Sequence, residues 1–252
     1  MTRDKTRGES FLSLVTNHLS LKVRSYELEH LDTGDYTAAE YEGCLAELRR
    51  INRWLGDARA MRRVVLQRIA DDSLKEFSLL DVGAGSGELL RGIAGWAMTN
   101  ERRARLVGLE LNERAAIAQT EESQSYPNIS AVRADAFALP FADKSFDYAM
   151  CSLFAHHFRE PEIVALLCEF ARIARRRVFV VDLHRHLVAY LLYTTAGRIV
   201  LYNRLVREDG ALSIRRGFRP LELSELATQA GLEAVEVERV FPFRLALAAR
   251  TV

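Results

Sequence analysis

The sequence predicts an α/β protein with a mostly parallel sheet that closes in an antiparallel hairpin. Three observations predict it. Short apolar runs alternate with helical stretches from Phe77 to Asp182, a glycine-rich turn joins the first run to a helix, and two closing strands meet at Phe241 and Pro242 with no helix between them. Repeated βα units lay parallel strands side by side under helices on both faces.

Between Tyr36 and Ala70, Tyr41, Leu45, Leu48, Ile51 and Leu55, then Met61, Val64, Val65 and Ile69, recur at helical spacing with arginines between them, so two amphipathic helices hinged near Gly56 are expected. The polar stretch 71–76 marks a boundary, giving an N-terminal helical cap over 1–75 and a second domain over 76–252. The expected strands are 77–82, 105–109, 129–133, 146–152 and 178–182. Helices are expected over 88–97, 112–123 and 161–173. A helix over 221–230 ends at Gly231, and strands 233–240 and 243–249 complete the sheet. Between Leu183 and Gly217 the chain is longer than a connection needs and carries Tyr190, Leu191, Leu192, Tyr193 and Tyr202, with Phe218 just beyond. Long inserts on such scaffolds are usually functional, so a lid is expected there, with a contact between two copies or plain core packing as the alternatives.

Composition narrows the function. With 252 residues the chain can bury a large core without a metal or disulfide, and 35 basic against 34 acidic residues give a net charge of +1, too little to suggest a nucleic-acid partner. Cys44, Cys151 and Cys168 are odd in number and lack metal-ligand spacing, which reads as thiols in a reducing compartment with no zinc site. No signal-peptide core follows the charged N-terminus, and the longest apolar stretch, 189–202, includes Arg198 and is too short to span a bilayer, so a cytoplasmic protein without membrane insertion is expected.

The run LLDVGAGSGELL, residues 79–90, places Gly83, Gly85 and Gly87 where a strand hands over to a helix, behind Asp81. Glycines there allow a sharp turn and a close ligand. A dinucleotide fingerprint would read G-x-G-x-x-G; the G-x-G-x-G spacing with an acid at its head suits a ligand with an ammonium group and no phosphate.

Asp81-x-Gly83-x-Gly85-x-Gly87 resembles the first motif of class I methyltransferases, which have a Rossmann-like seven-stranded sheet and bind S-adenosylmethionine. Three further features strengthen the resemblance: Glu110 at the end of the second strand, the pair Asp135 and Ala136 after the third, and ALPFADKSFDYAMCS over 138–152. The resemblance implies that Asp81, Gly83, Ala84, Gly85, Gly87, Glu110, Leu111, Asp135, Ala136 and Cys151 form the cofactor site, with Glu110 accepting from the ribose hydroxyls and Asp135 from the adenine amine. S-adenosylhomocysteine would be the product. Asp147 opens the fourth strand and either passes under the cofactor or anchors the strand start.

Methyl transfer from a sulfonium is an in-line displacement in which the enzyme mainly aligns the acceptor, with a base needed for a hydroxyl. His156 and His157, after the fourth strand, are the candidate catalytic residues, since a histidine can take a phenolic or enolic proton near neutral pH. His184 and His186 follow Asp182 at the end of the fifth strand, where parallel sheets form their ligand crevice. The four histidines with Asp182 match no zinc signature, so a substrate-lining or structural role is expected. Arg175, Arg176 and Arg177 are expected to cap the preceding helix, and Arg215, Arg216 and Arg219 to hold an acidic substrate group or to be solvated.

Segments 45–64, 180–193 and 205–223 resemble bacterial methyltransferases encoded beside type III polyketide synthases. That resemblance implies O-methylation of a phenolic, quinone or polyketide-derived hydroxyl, possible as a homodimer. The alternatives are a C-methyltransferase acting on a quinol or phenolic ring and a non-catalytic cofactor-binding partner subunit. No Asn-Pro-Pro-Tyr or Asp-Pro-Pro-Tyr follows the fourth strand, which argues against adenine or glutamine as acceptor.

Overall fold

The computed structural model describes residues 21–37, 39–40, 43–44, 47, 51 and 56–252, with 198 and 199 described by backbone alone. Most of the first expected cap helix, including Tyr41, Leu45, Leu48 and Leu55, lies outside the described residues. The second follows Gly56 as Asp57–Ala60, a π-helical Met61–Leu66 and Gln67–Asp71 in unbroken succession. Seven strands follow: β1 Glu76–Val82, β2 Arg103–Glu110, β3 Ile129–Arg133, β4 Phe146–Ser152, β5 Ala174–Leu183, β6 Glu233–Val240 and β7 Arg244–Arg250. They lie in the order β3-β2-β1-β4-β5-β7-β6. β7 is antiparallel to both β5 and β6, and the remaining pairs are parallel. This is the fold the sequence predicts, a seven-stranded Rossmann-like class I methyltransferase sheet.

Alternation along each strand splits the core in two. Leu80, Val82, Ala149, Cys151, Val178, Val180 and Leu247 face a layer closed by helices Glu160–Ile173 and Pro220–Gln229. Leu79, Tyr148, Met150, Phe179, Val181 and Ala246 face a layer closed by helix Glu88–Thr99 and by Ala60, Met61, Val64, Val65 and Ile69. Each fully buried Val, Leu, Ile, Phe or Met among them contributes about 1.5–3 kcal/mol. The cap expected over 1–75 thus gives its last helix to the sheet's own core. A short helix, His30–Thr33, precedes it, and helices Leu187–Thr195, Gly197–Val200 and Arg204–Arg216 fill the stretch expected as a lid. Cys44, Leu201, Leu205 and Val206 form a third, smaller cluster between them.

Arg175–Arg177 do not cap a helix: β5 begins at Ala174, because Arg177 is drawn into a bidentate pair with Asp72 and Arg175 lies against Asp147. Asp147 accepts from Ser78 N and Oγ, both at 2.8 Å, so it anchors the start of β4 to β1. The chain leaves β1 for β2 on one side of the sheet and returns at β4 on the other, which opens a crevice beyond the carboxyl ends of β1 and β4.

Candidate active site

β1 runs into its loop at that crevice. Gly83 and Ala84 donate to the carbonyl of Leu109, and Gly85 N–H donates to Glu110 Oε2 at 3.0 Å, so the loop is pinned to the end of β2. Gly83 has φ +71°, and a Cβ there would lie 2.4 Å from the Phe154 ring. Gly85 has φ +55°, and its Cβ would meet nothing within 4 Å: the backbone faces open space. Below the loop Asp81 is buried, and its Oδ1 has no hydrogen-bond partner. Burial, reinforced by the nearby Glu110 carboxylate, pushes its carboxyl up to about 8. Glu110 also accepts from Asn112 N–H, and Asp135 Oδ1 from Phe137 N–H at 2.9 Å. Leu111 is exposed at the rim.

A cavity of about 760 Å³ lies between the residues after β4 and β5, the residues Glu29, Leu31, Cys44 and Ile51, and the lid helices. Its walls are mostly aliphatic, including Leu31, Ile51, Ala189 and Leu201, and Glu29, His156 and His157 give it polar groups. His156 is buried on a 3-10 turn, Ala155–His157, with Nδ1 2.7 Å from Oδ1 of the fully buried Asp182. An ionised carboxylate only accepts, so Nδ1 carries the proton and Nε2 of a neutral ring is left as acceptor. Burial alone would raise the Asp182 carboxyl, but attraction to His156 when that ring is protonated, together with its hydrogen bond, holds it below the usual range. The turn is held from outside: Arg216 donates to the carbonyls of His156 and His157, and Arg24 to those of His156 and Phe158.

Residues 79–189 match the family model described as a methyltransferase domain. Over these residues the chain carries a methyltransferase domain. No curated protein matches the sequence. Among solved structures, the methyltransferase resembles a SAM-dependent methyltransferase from Aquifex aeolicus, with 17% identity, 81% of this chain and 98% of that one covered, and a TM-score of 0.58. It also resembles magnesium protoporphyrin IX methyltransferase from Synechocystis PCC 6803 with bound SAH, with 18% identity, coverage of 79% and 84%, and a TM-score of 0.57. A third likeness is to the CurJ carbon methyltransferase, with 13% identity, 70% of this chain against 49% of that one, and a TM-score of 0.53.

The loop after β1 has features that suit S-adenosylmethionine, the cofactor the sequence implies. An unpartnered buried carboxylate oxygen at Asp81 suits an ammonium group, and the open face at Gly85 admits a ligand against the backbone. The sequence also placed Cys151 and Ala136 in this site. Their side chains are buried in the first core layer, Cys151 by the strand alternation of β4.

Around the cavity several expected roles change. Arg216 is buried and tied to Asp32 as well as to the histidine turn, Arg215 pairs with Glu27, and Arg219 donates to Leu21 O, so these arginines are internal ties rather than a grip on substrate. His184 lines the cavity, while His186 stacks on Phe243 with ring centroids 5.5 Å apart and caps helix Leu187–Thr195. Burial, with His186 nearby, lowers His184 to about 4. Of the expected lid aromatics, Tyr193 lines the cavity, Tyr202 faces solvent and Phe218 is buried in the core. Sequence reasoning missed Glu29, Asp32 and Arg24, and noted Asp182 without its partner. A strand-end acid one element away from a strand-end histidine was the one available signal.

Proposed function

We propose that this methyltransferase methylates a hydroxyl oxygen of a small apolar acceptor, a phenolic, quinone or polyketide-derived compound, held in the cavity behind the lid helices. The observation that carries the reading is the pairing of a mostly aliphatic cavity with a buried Asp182–His156 dyad on its wall. When bound, S-adenosylmethionine supplies a methyl group already activated on sulfur. Asp81, Gly83, Gly85, Glu110 and Asp135 are the residues that would hold it, with Ala84, Gly87 and Leu111 shaping the loop and rim.

The remaining work is done by the acceptor side. The apolar walls exclude water and align the acceptor, which is where most of the rate enhancement of a displacement arises. His156 Nε2 accepts the hydroxyl proton, and Asp182 fixes the tautomer and stabilises the imidazolium that forms. His157 takes a supporting place, its Nδ1 3.5 Å from Asp32 Oδ1.

Turnover against a panel of phenols tests this. His156→Ala is expected to cut turnover by about 10²-fold or more at neutral pH, with cofactor affinity nearly unchanged, and to lose less at high pH where a phenol ionises unaided. Asp182→Asn should lower kcat with little change in KM for the acceptor. If neither His156→Ala nor His157→Ala slows methyl transfer, the base assignment is wrong. A product whose NMR spectrum shows a new ring methyl in place of a methoxy group would move the reaction to carbon.

A further inference from the structure

The cavity holds a second arrangement, which shares its histidines with the methyl-transfer reading and adds Glu29. Glu29, His156 and His157 each present a potential ligand atom, and these atoms lie within 4.8 Å of one another. All three residues line the cavity, two of them buried and His157 half-buried. Each is oriented from behind. Asp182 Oδ1 holds His156 Nδ1 at 2.7 Å, Asp32 Oδ1 lies 3.5 Å from His157 Nδ1, and Ser213 Oγ donates to Glu29 Oε1 at 2.7 Å. Both imidazoles therefore have Nδ1 turned to a carboxylate and Nε2 left over. That is the outer-shell pattern of metal-bound histidines, which nearly always donate the other ring N–H to a carboxylate or carbonyl.

Charge points the same way. Glu29, Asp32 and Asp182 surround the two rings, and among the described residues the guanidinium ion-paired to this group is that of Arg216, 2.6 Å from Asp32 and 3.6 Å from Glu29. Arg24, the other buried cation at the turn, is paired with Glu160. Three negative charges less one positive leave an excess of two.

We propose that Glu29, His156 and His157 bind a divalent first-row transition metal ion of the zinc class, with its open coordination positions facing the cavity. Two imidazoles and one carboxylate form the ligand set of catalytic zinc sites that keep a position free. Magnesium and calcium prefer all-oxygen sets and are disfavoured by the two nitrogens. The ion would occupy His156 Nε2, the nitrogen assigned above to the acceptor's proton, so a bound ion and general-base action exclude each other. That exclusion rests on the functional reading; the site itself does not.

The test uses the full chain, stripped with chelator and titrated with Co²⁺ alone, without cofactor or acceptor, so that failure of the methylation reading cannot affect it. Wild type is expected to take up one equivalent with the visible absorption of a low-coordinate nitrogen and oxygen site. Glu29→Gln and His157→Ala should each weaken uptake by about tenfold or more. They lie on different elements, so a folding failure of one leaves the other to decide. His184→Ala should leave binding unchanged. Absence of the cobalt spectrum in wild type overturns the proposal. So does uptake that survives in the folded members of the Glu29→Gln and His157→Ala pair, or that is lost in His184→Ala or Cys168→Ser.

Discussion

At the scale of single residues, Asp81 shows how a buried charge couples stability to ligand. Its carboxyl sits near 8 in the folded chain against about 4 when unfolded, so the folded state binds more protons between those values. The Asp81 contribution to stability is therefore fully present below pH 4 and lost as pH rises towards 8. We expect Asp81→Asn to flatten that part of the pH–stability curve measured by urea unfolding. A cation beside Asp81 reverses the preference, so S-adenosylmethionine binding near pH 7 should release a proton, seen as a calorimetric enthalpy that varies with buffer ionisation. Gly83 and Gly85 divide the loop's two demands. Gly83→Ala should destabilise the fold by more than the roughly 1–2 kcal/mol of a left-handed residue, because its Cβ meets Phe154. Gly85→Ala should cost only that backbone strain in the free protein and chiefly weaken cofactor binding, measured by calorimetry.

At the scale of elements, the segment before helix His30–Thr33 acts as a strap across the active-site turn. Arg24 is buried, stacks on the Phe218 ring 4.4 Å away and donates to the carbonyls of Arg216, His156 and Phe158. Arg24→Met keeps much of the packing and removes these donors from the carbonyls of Arg216 and Phe158, while the His156 carbonyl keeps Arg216. The expected loss is about 1.5–3 kcal/mol in denaturant unfolding, and turnover should fall while cofactor affinity holds, since the cofactor loop lies on β1. The lid helices join this strap through Asp209, which accepts from His30 and Leu31 N–H. Cavity and strap thus depend on one another.

At the scale of the whole molecule, the first described long helix and the last strand are joined by a buried ion pair, Asp57 with Arg244. Breaking one partner of such a pair costs about 3–5 kcal/mol, because the other charge stays buried. Asp57→Asn should therefore lower the urea midpoint sharply. Arg244 also lines the cavity, so the substitution should loosen acceptor binding as well, read as a rise in KM. The helix that starts at Asp57 and the sheet are then expected to unfold in one transition.

The sequence by itself determined the sheet, and it marked out the loop proposed to hold the cofactor. Strand alternation, the Asp81 to Gly87 spacing and the closing hairpin are local patterns, and β3, β4 and β6 fall on their expected residues. It also singled out His156, because the residues after a strand's carboxyl end are local to that strand. Only the tertiary structure decided what surrounds that histidine. Asp182 reaches it from the neighbouring strand, Glu29 and Asp32 from the far N-terminal strap, and Arg216 from the lid, and no spacing in the chain records those meetings. The arginine clusters misled for the same reason. A run of charges reads as solvated or as a cap until long-range pairing with Asp72 or the histidine turn removes it from water.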